Sequence, residues 1–129
     1  MLRTVFTVNA VSSGLSGAAL FAAAAPLAPV FGLASPAPLL AFGAALLGFA
    51  LYVWGARREP IDLVKARAIL WMDVAYVALS FALILLWPAA LSPIGRLATA
   101  LVADFVAVIA VFEYVGLRRA RRAEAGAAA

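Results

Sequence analysis

The chain contains no cysteine and no histidine. Without cysteine it can form no disulfide framework, thiol nucleophile, thiolate metal site or iron–sulfur cluster. Without histidine it lacks the usual haem ligand, the commonest zinc ligand and the easiest proton switch near neutral pH. Its two methionines, Met1 and Met72, make a poor axial-ligand set. Charge is scarce as well. Only 12% of the 129 residues are charged, against about a quarter in soluble domains. No charged residue occurs between Thr4 and Ala56. That deficit is too large for a water-facing surface, so the solvent must largely be lipid. Catalytic signatures are missing too: there is no nucleophile elbow, P-loop, dinucleotide fingerprint or paired-carboxylate metal motif. Chemistry would rest on Asp, Glu, Tyr and Ser alone. The expectation is a protein without catalytic residues, cofactor or metal.

What is present is apolar. Hydrophobic residues make up 67% of the chain, and the mean hydropathy is +1.10. A transmembrane helix needs about 20 mostly apolar residues. Four stretches qualify, over residues 4–25, 36–55, 68–87 and 93–117. The breaks between them have mechanisms. "PLAPVFGLASPAP" carries four prolines, which remove backbone donors and clash with helical continuation. "REPID" combines charge with Pro60, and "WPAALSPIG" separates the last two spans. Ser35-Pro36 and Ser92-Pro93 open spans two and four alike, since serine suits the N-cap and proline the first helical position. The reading is an all-α, polytopic membrane protein: a four-helix transmembrane domain over residues 1–117, then a basic tail over 118–129.

The net charge is +4, ten basic residues less six acidic ones. A nucleic-acid partner does not follow, because the basic residues lie between and after apolar spans. Arg3 precedes span one. Arg57, Arg58, Lys65 and Arg67 join spans two and three, and Arg118, Arg119, Arg121 and Arg122 follow span four. Only Arg96 lies on the other side. By the positive-inside rule both termini are cytoplasmic, and the arginines and Lys65 contact lipid head groups. The bias is too one-sided for dual topology. Tyr52, Trp54, Trp71 and Tyr114 fall near the inner interface and Trp87 near the outer one. Span one is predicted to be retained rather than cleaved, because Asn9, Ser12, Ser13 and Ser16 make a poor apolar signal core. The tail, basic and then small, is predicted to fray.

A few polar residues stand out of place in these spans. Asn9, Ser12, Ser13 and Ser16 recur at helical spacing in span one, beside the small residues Ala10, Gly14 and Gly17, which allow close helix approach. In span three Asp73 lies about 8 Å inside the apolar boundary. Tyr76 and Ser80 follow it on the same helix face. Its plainest reading is a shallow acid reaching water, Lys65 or Arg67. In span four Asp104 lies about 20 Å from the inner edge, too deep for so short a side chain to reach water. It is expected to face the bundle interior or a wet cavity. Glu113, about 6 Å from the edge, is nine residues on and so on the opposite face. It is expected to pair with a basic residue of the inner loop or tail. If spans one, three and four pack together, Asn9, Ser12, Ser13, Ser16, Asp73, Tyr76 and Asp104 form a polar ladder.

"NAVSSGLSG" near the start, Asp73 in span three and "SPIGR" opening span four resemble an uncharacterised group of small bacterial four-span integral membrane proteins. The resemblance implies a multi-pass place in a bacterial inner membrane and no particular activity. The functional expectation is proton-linked transport, or binding of a small polar ligand, at the intramembrane site. The alternative is a non-catalytic accessory or assembly subunit. Partners are the lipid bilayer and either a second copy or a larger membrane complex.

Overall fold

α1 (Leu2–Ala22) ends where proline chemistry requires it. Pro26 has no N–H to offer the Ala22 carbonyl, so the helical ladder stops there, three residues before the predicted end of the span. The proline-rich segment after it is not irregular throughout: α2 (Ala24–Val30) forms one short helix with Pro29 inside it. α3 (Ala37–Ala56) begins after Ser35-Pro36, with the Ser35 hydroxyl accepting the Ala37 N–H at 3.1 Å. α4 (Leu63–Leu86) begins five residues earlier than hydropathy alone indicates. Its start is set by Asp62, whose carboxylate accepts the Val64 N–H at 2.9 Å and caps the first turn. α5 (Pro93–Ala128) opens at Ser92-Pro93, with the Ser92 hydroxyl accepting the Gly95 N–H at 3.0 Å. The computed structural model describes residues 1–128, and no strand occurs among them.

Four of these helices, α1, α3, α4 and α5, are long and apolar enough to cross a membrane. The fold is therefore the expected all-α, four-helix membrane bundle. α5 is the exception in length. Its 36 residues span about 54 Å, so it runs well past a hydrocarbon core of about 30 Å. Residues 118–128, predicted to fray, continue the helix instead; residue 129 of the predicted tail lies outside the described residues. Alanine-rich sequence with arginines is strongly helix-forming, and that propensity carries the helix beyond the apolar stretch.

The bundle is two antiparallel hairpins. α1 packs chiefly on α3, and α4 on α5. The α1–α3 crossing is close because Gly17 and Gly43 face each other: a Cβ on Gly17 would stand 2.8 Å from the Gly43 carbonyl oxygen. The hairpins meet at the end that carries the arginine clusters, called here the basic end. There Leu2, Phe6 and Ala10 of α1, Val53 and Ala56 of α3, Ala66 and Ile69 of α4 and Leu117 of α5 form one buried core. At the far end the two loops are joined by backbone. Ser92 donates its N–H to the Phe31 carbonyl at 2.8 Å and its hydroxyl to the Val30 carbonyl. Gly32 permits this with φ of 75°, and a Cβ there would stand 2.8 Å from the Ser92 nitrogen. Large apolar side chains cover the outside, among them Leu15, Leu51, Leu79, Leu85 and Leu101, as a lipid-facing surface requires.

Candidate functional site

Each helix places its polar residue by the phase of its small and apolar neighbours. In α1, Phe6, Ala10 and Gly17 are buried, and Asn9 lies between them on the same face. In α4 the buried positions are Ala66, Ile69, Asp73 and Ser80, at steps of three, four and seven. This is a helix face. In α5 the buried face runs through Ala103, Ala110, Glu113, Gly116 and Leu117.

These three faces bring Asn9, Asp73 and Glu113 together. The Asn9 amide nitrogen donates one hydrogen bond to Asp73 Oδ2 at 2.7 Å and one to Glu113 Oε1 at 2.8 Å. An amide nitrogen has two hydrogens, so its capacity is fully used. The Asn9 carbonyl oxygen accepts the Ser13 hydroxyl at 3.1 Å. Turning the amide over would point that oxygen at two carboxyl groups, so the network fixes the orientation. Ser12 donates to the Asn9 backbone carbonyl at 3.1 Å. All three central residues are buried; Glu113 is only 1% exposed. Its second oxygen, Oε2, has no hydrogen-bond partner among the described residues. Two carboxyls joined by one neutral amide, without a cation, cannot both be ionised at modest cost.

Beside this cluster lies a cavity of about 250 Å³ between the hairpins. Asp73, Ser12, Ser13, Ser16 and Tyr76 supply its polar wall, and Phe42, Phe49 and Phe105 are among its apolar residues. Tyr76 stacks on Phe42, with ring centroids 5.8 Å apart and planes 14° from parallel. Ser12 and Ser13 are half-buried and Ser16 is exposed at the cavity rim.

Six of the seven predicted polar residues are thus gathered at one place, and Asp104 is not. It is exposed on the outward face of α5, between Leu101 and Val108, which are also exposed. The reason is helix phase. Asp104 and Glu113 are half a turn out of register, so only one can face inward. The small and apolar residues Ala103, Ala110 and Leu117 select Glu113. Depth alone favoured Asp104, and depth was the wrong discriminator. Glu113 likewise pairs with the Asn9 amide rather than with a basic side chain. Spans one, three and four do meet at this cluster, through the two Asn9 hydrogen bonds, although α1 lies mainly against α3. Asn9 reaches the other hairpin because Leu2, Phe6 and Ala10 on its flank of α1 share one core with Ala66 and Ile69 of α4 and Leu117 of α5. Of the basic residues read as lipid contacts, Arg57 is engaged otherwise: its guanidinium lies 3.5 Å over the Trp54 ring.

One consequence is directly measurable. Asp104 makes no hydrogen bond among the described residues and no inward contact, so Asp104→Asn breaks no contact within the bundle and is expected not to destabilise it. Asp73→Asn is expected to cost more, because it breaks the cluster. Thermal unfolding in one detergent, followed by circular dichroism, compares the two.

The fold and this cluster define a class: a multi-pass membrane protein whose helical bundle encloses a buried polar site. No protein-family model, curated protein or solved structure matches the chain.

Proposed function

We propose that this is a small bacterial inner-membrane protein that exchanges protons at the Asp73–Asn9–Glu113 cluster and couples that exchange to a small polar ligand in the adjacent cavity. One observation carries the reading. A single amide bridges carboxyls from two helices inside a lipid-facing bundle, and Glu113 keeps an oxygen without a hydrogen-bond partner among the described residues. Ionisable residues buried inside a membrane-spanning bundle are expensive and are functional by default. Asp73 lies on the cavity wall, while Glu113 does not reach it. Asp73 therefore meets the ligand and Glu113 accepts or returns the proton through the cluster. Ser12, Ser13, Ser16 and Tyr76 supply the neutral polar contacts.

Reconstitution into liposomes tests this. With the membrane potential clamped, an interior pH dye is expected to report proton entry above that of empty liposomes. Glu113→Gln is expected to reduce the protein-dependent rate at least tenfold while the chain stays helical and monodisperse. Wild-type flux equal to that of empty liposomes, or flux unchanged by the substitution, contradicts the reading.

Asp104 favours a second reading, an accessory or assembly subunit. A carboxylate on the hydrocarbon-facing side of a span needs a partner there. A second copy or a larger membrane complex would supply it. Asp104→Asn would then dissociate the assembly without affecting proton entry.

A further inference from the structure

A second recess lies on the outside of the bundle, away from the polar cluster. It is a groove of about 710 Å³ between α4 and α5. Its lining is ordered along the membrane normal. Ala78, Ala107 and Ala110 leave it deep near the bundle's middle, and Leu70, Val74 and Val111 line its sides. Arg67 and Arg121 stand at its basic end with Trp71 and Tyr114.

We propose that this groove seats one anionic phospholipid, with an acyl chain along α4 and α5 and the phosphate between Arg67 and Arg121. Three features select this occupant. The first is length. Arg67 and Ala78 are eleven residues apart, about 16 Å along a helix. That is half of a hydrocarbon core of about 30 Å, the depth of one leaflet. The second is charge. Two arginines line one end, no acidic residue among the described residues lines the groove, and guanidinium binds phosphate oxygens in a bidentate manner. Glu124, one turn beyond Arg121, is not part of the lining. A lipid with net negative charge gains from both cations, whereas a zwitterionic one carries its own counter-charge. The third is the pair of aromatics. Trp71 and Tyr114 are both exposed at the level where indole and phenol rings meet head groups.

Trp71 also provides the probe. In a chain with Trp54→Phe and Trp87→Phe, Trp71 is the remaining tryptophan. Its fluorescence is measured in vesicles that mix brominated phosphatidylglycerol with unlabelled phosphatidylcholine, and then with the bromine on the other lipid. The expected result is a relative affinity for phosphatidylglycerol about five- to thirtyfold higher. Arg67→Gln with Arg121→Gln is expected to bring the ratio near one. Ala107→Phe, which fills the groove and leaves both arginines, is expected to do the same. Equal quenching by the two lipids overturns the proposal. So does a preference that survives Ala107→Phe, which would make the arginines a diffuse surface charge rather than part of a site. The otherwise unsubstituted chain gives an independent reading by native mass spectrometry. One retained phosphatidylglycerol is expected, and is lost on Ala107→Phe; retention of none, or retention unchanged by Ala107→Phe, counts against the site.

Discussion

Asn9→Leu is expected to destabilise the bundle by about 3 kcal/mol. Leucine is close to asparagine in size, so the loss is not one of volume. It removes the single donor that reaches both Asp73 and Glu113. The two carboxyls then lie buried near each other without it, and the Ser13 hydroxyl loses its acceptor. Leaving a buried polar group unsatisfied costs far more than the net worth of the bond that is lost. The converse follows from the same physics. Asn9→Leu combined with Asp73→Leu and Glu113→Leu removes every partner at once, so most of the loss is expected to be recovered. Unfolding in mixed micelles with increasing denaturing detergent measures both. A single substitution that costs less than about 1 kcal/mol would show that the amide does not hold the cluster. A triple variant no better than the single one would show that the carboxyls were not its cost.

Gly17→Ala is expected to cost about 1–3 kcal/mol and to loosen the first hairpin. The added methyl would lie 2.8 Å from the Gly43 carbonyl oxygen, 2.9 Å from Leu46 Cβ and 3.0 Å from the Leu47 nitrogen. Two of these are backbone atoms, which no rotamer change can move, so α1 and α3 must separate. Separation also shifts α1, which carries Asn9, so Gly17→Ala is expected to disturb the Asn9 hydrogen bonds as well as stability. Gly48 and Gly55, also in α3, are the controls. A Cβ at either meets nothing within 4 Å. Alanine there is expected to be neutral, or stabilising by up to about 1 kcal/mol. A Gly17→Ala chain as stable as a Gly48→Ala chain would place the helix crossing elsewhere.

These two sites show what the sequence could and could not disclose. The spans were legible because lipid leaves one dominant signal, about 20 apolar residues between breakers. Ser35, Pro36, Ser92 and Pro93 marked helix starts through local chemistry that needs no tertiary context. Asn9, Asp73 and the serines were legible because a polar group in hydrocarbon must turn inward. The boundary at Leu63 was missed, since Lys65 and Arg67 lower the hydropathy of the first turns, which the Asp62 cap nonetheless makes helical. The choice between Asp104 and Glu113 was missed for a different reason. Depth is readable from residue counting, but helix phase depends on which face packs. The signal was present in Ala103, Ala110 and Gly116, a small-residue face that puts Glu113 inside. The pairing of α1 with α3 rests on Gly17 meeting Gly43, and a match between two helices is not visible in either one.

One amide, that of Asn9, touches two acids. Asn9 is the only asparagine in the chain, and glutamine is absent. Side-chain nitrogen labelling therefore reports a single residue. With carbon-labelled aspartate and glutamate, solid-state NMR in lipid bilayers measures dipolar coupling from the Asn9 amide nitrogen to nearby side-chain carboxyl carbons. Two strong couplings are expected, one abolished by Asp73→Leu and the other by Glu113→Leu, with both unaffected by Asp104→Leu. A coupling that disappears with Asp104→Leu, or an amide coupled to neither acid, would contradict this arrangement.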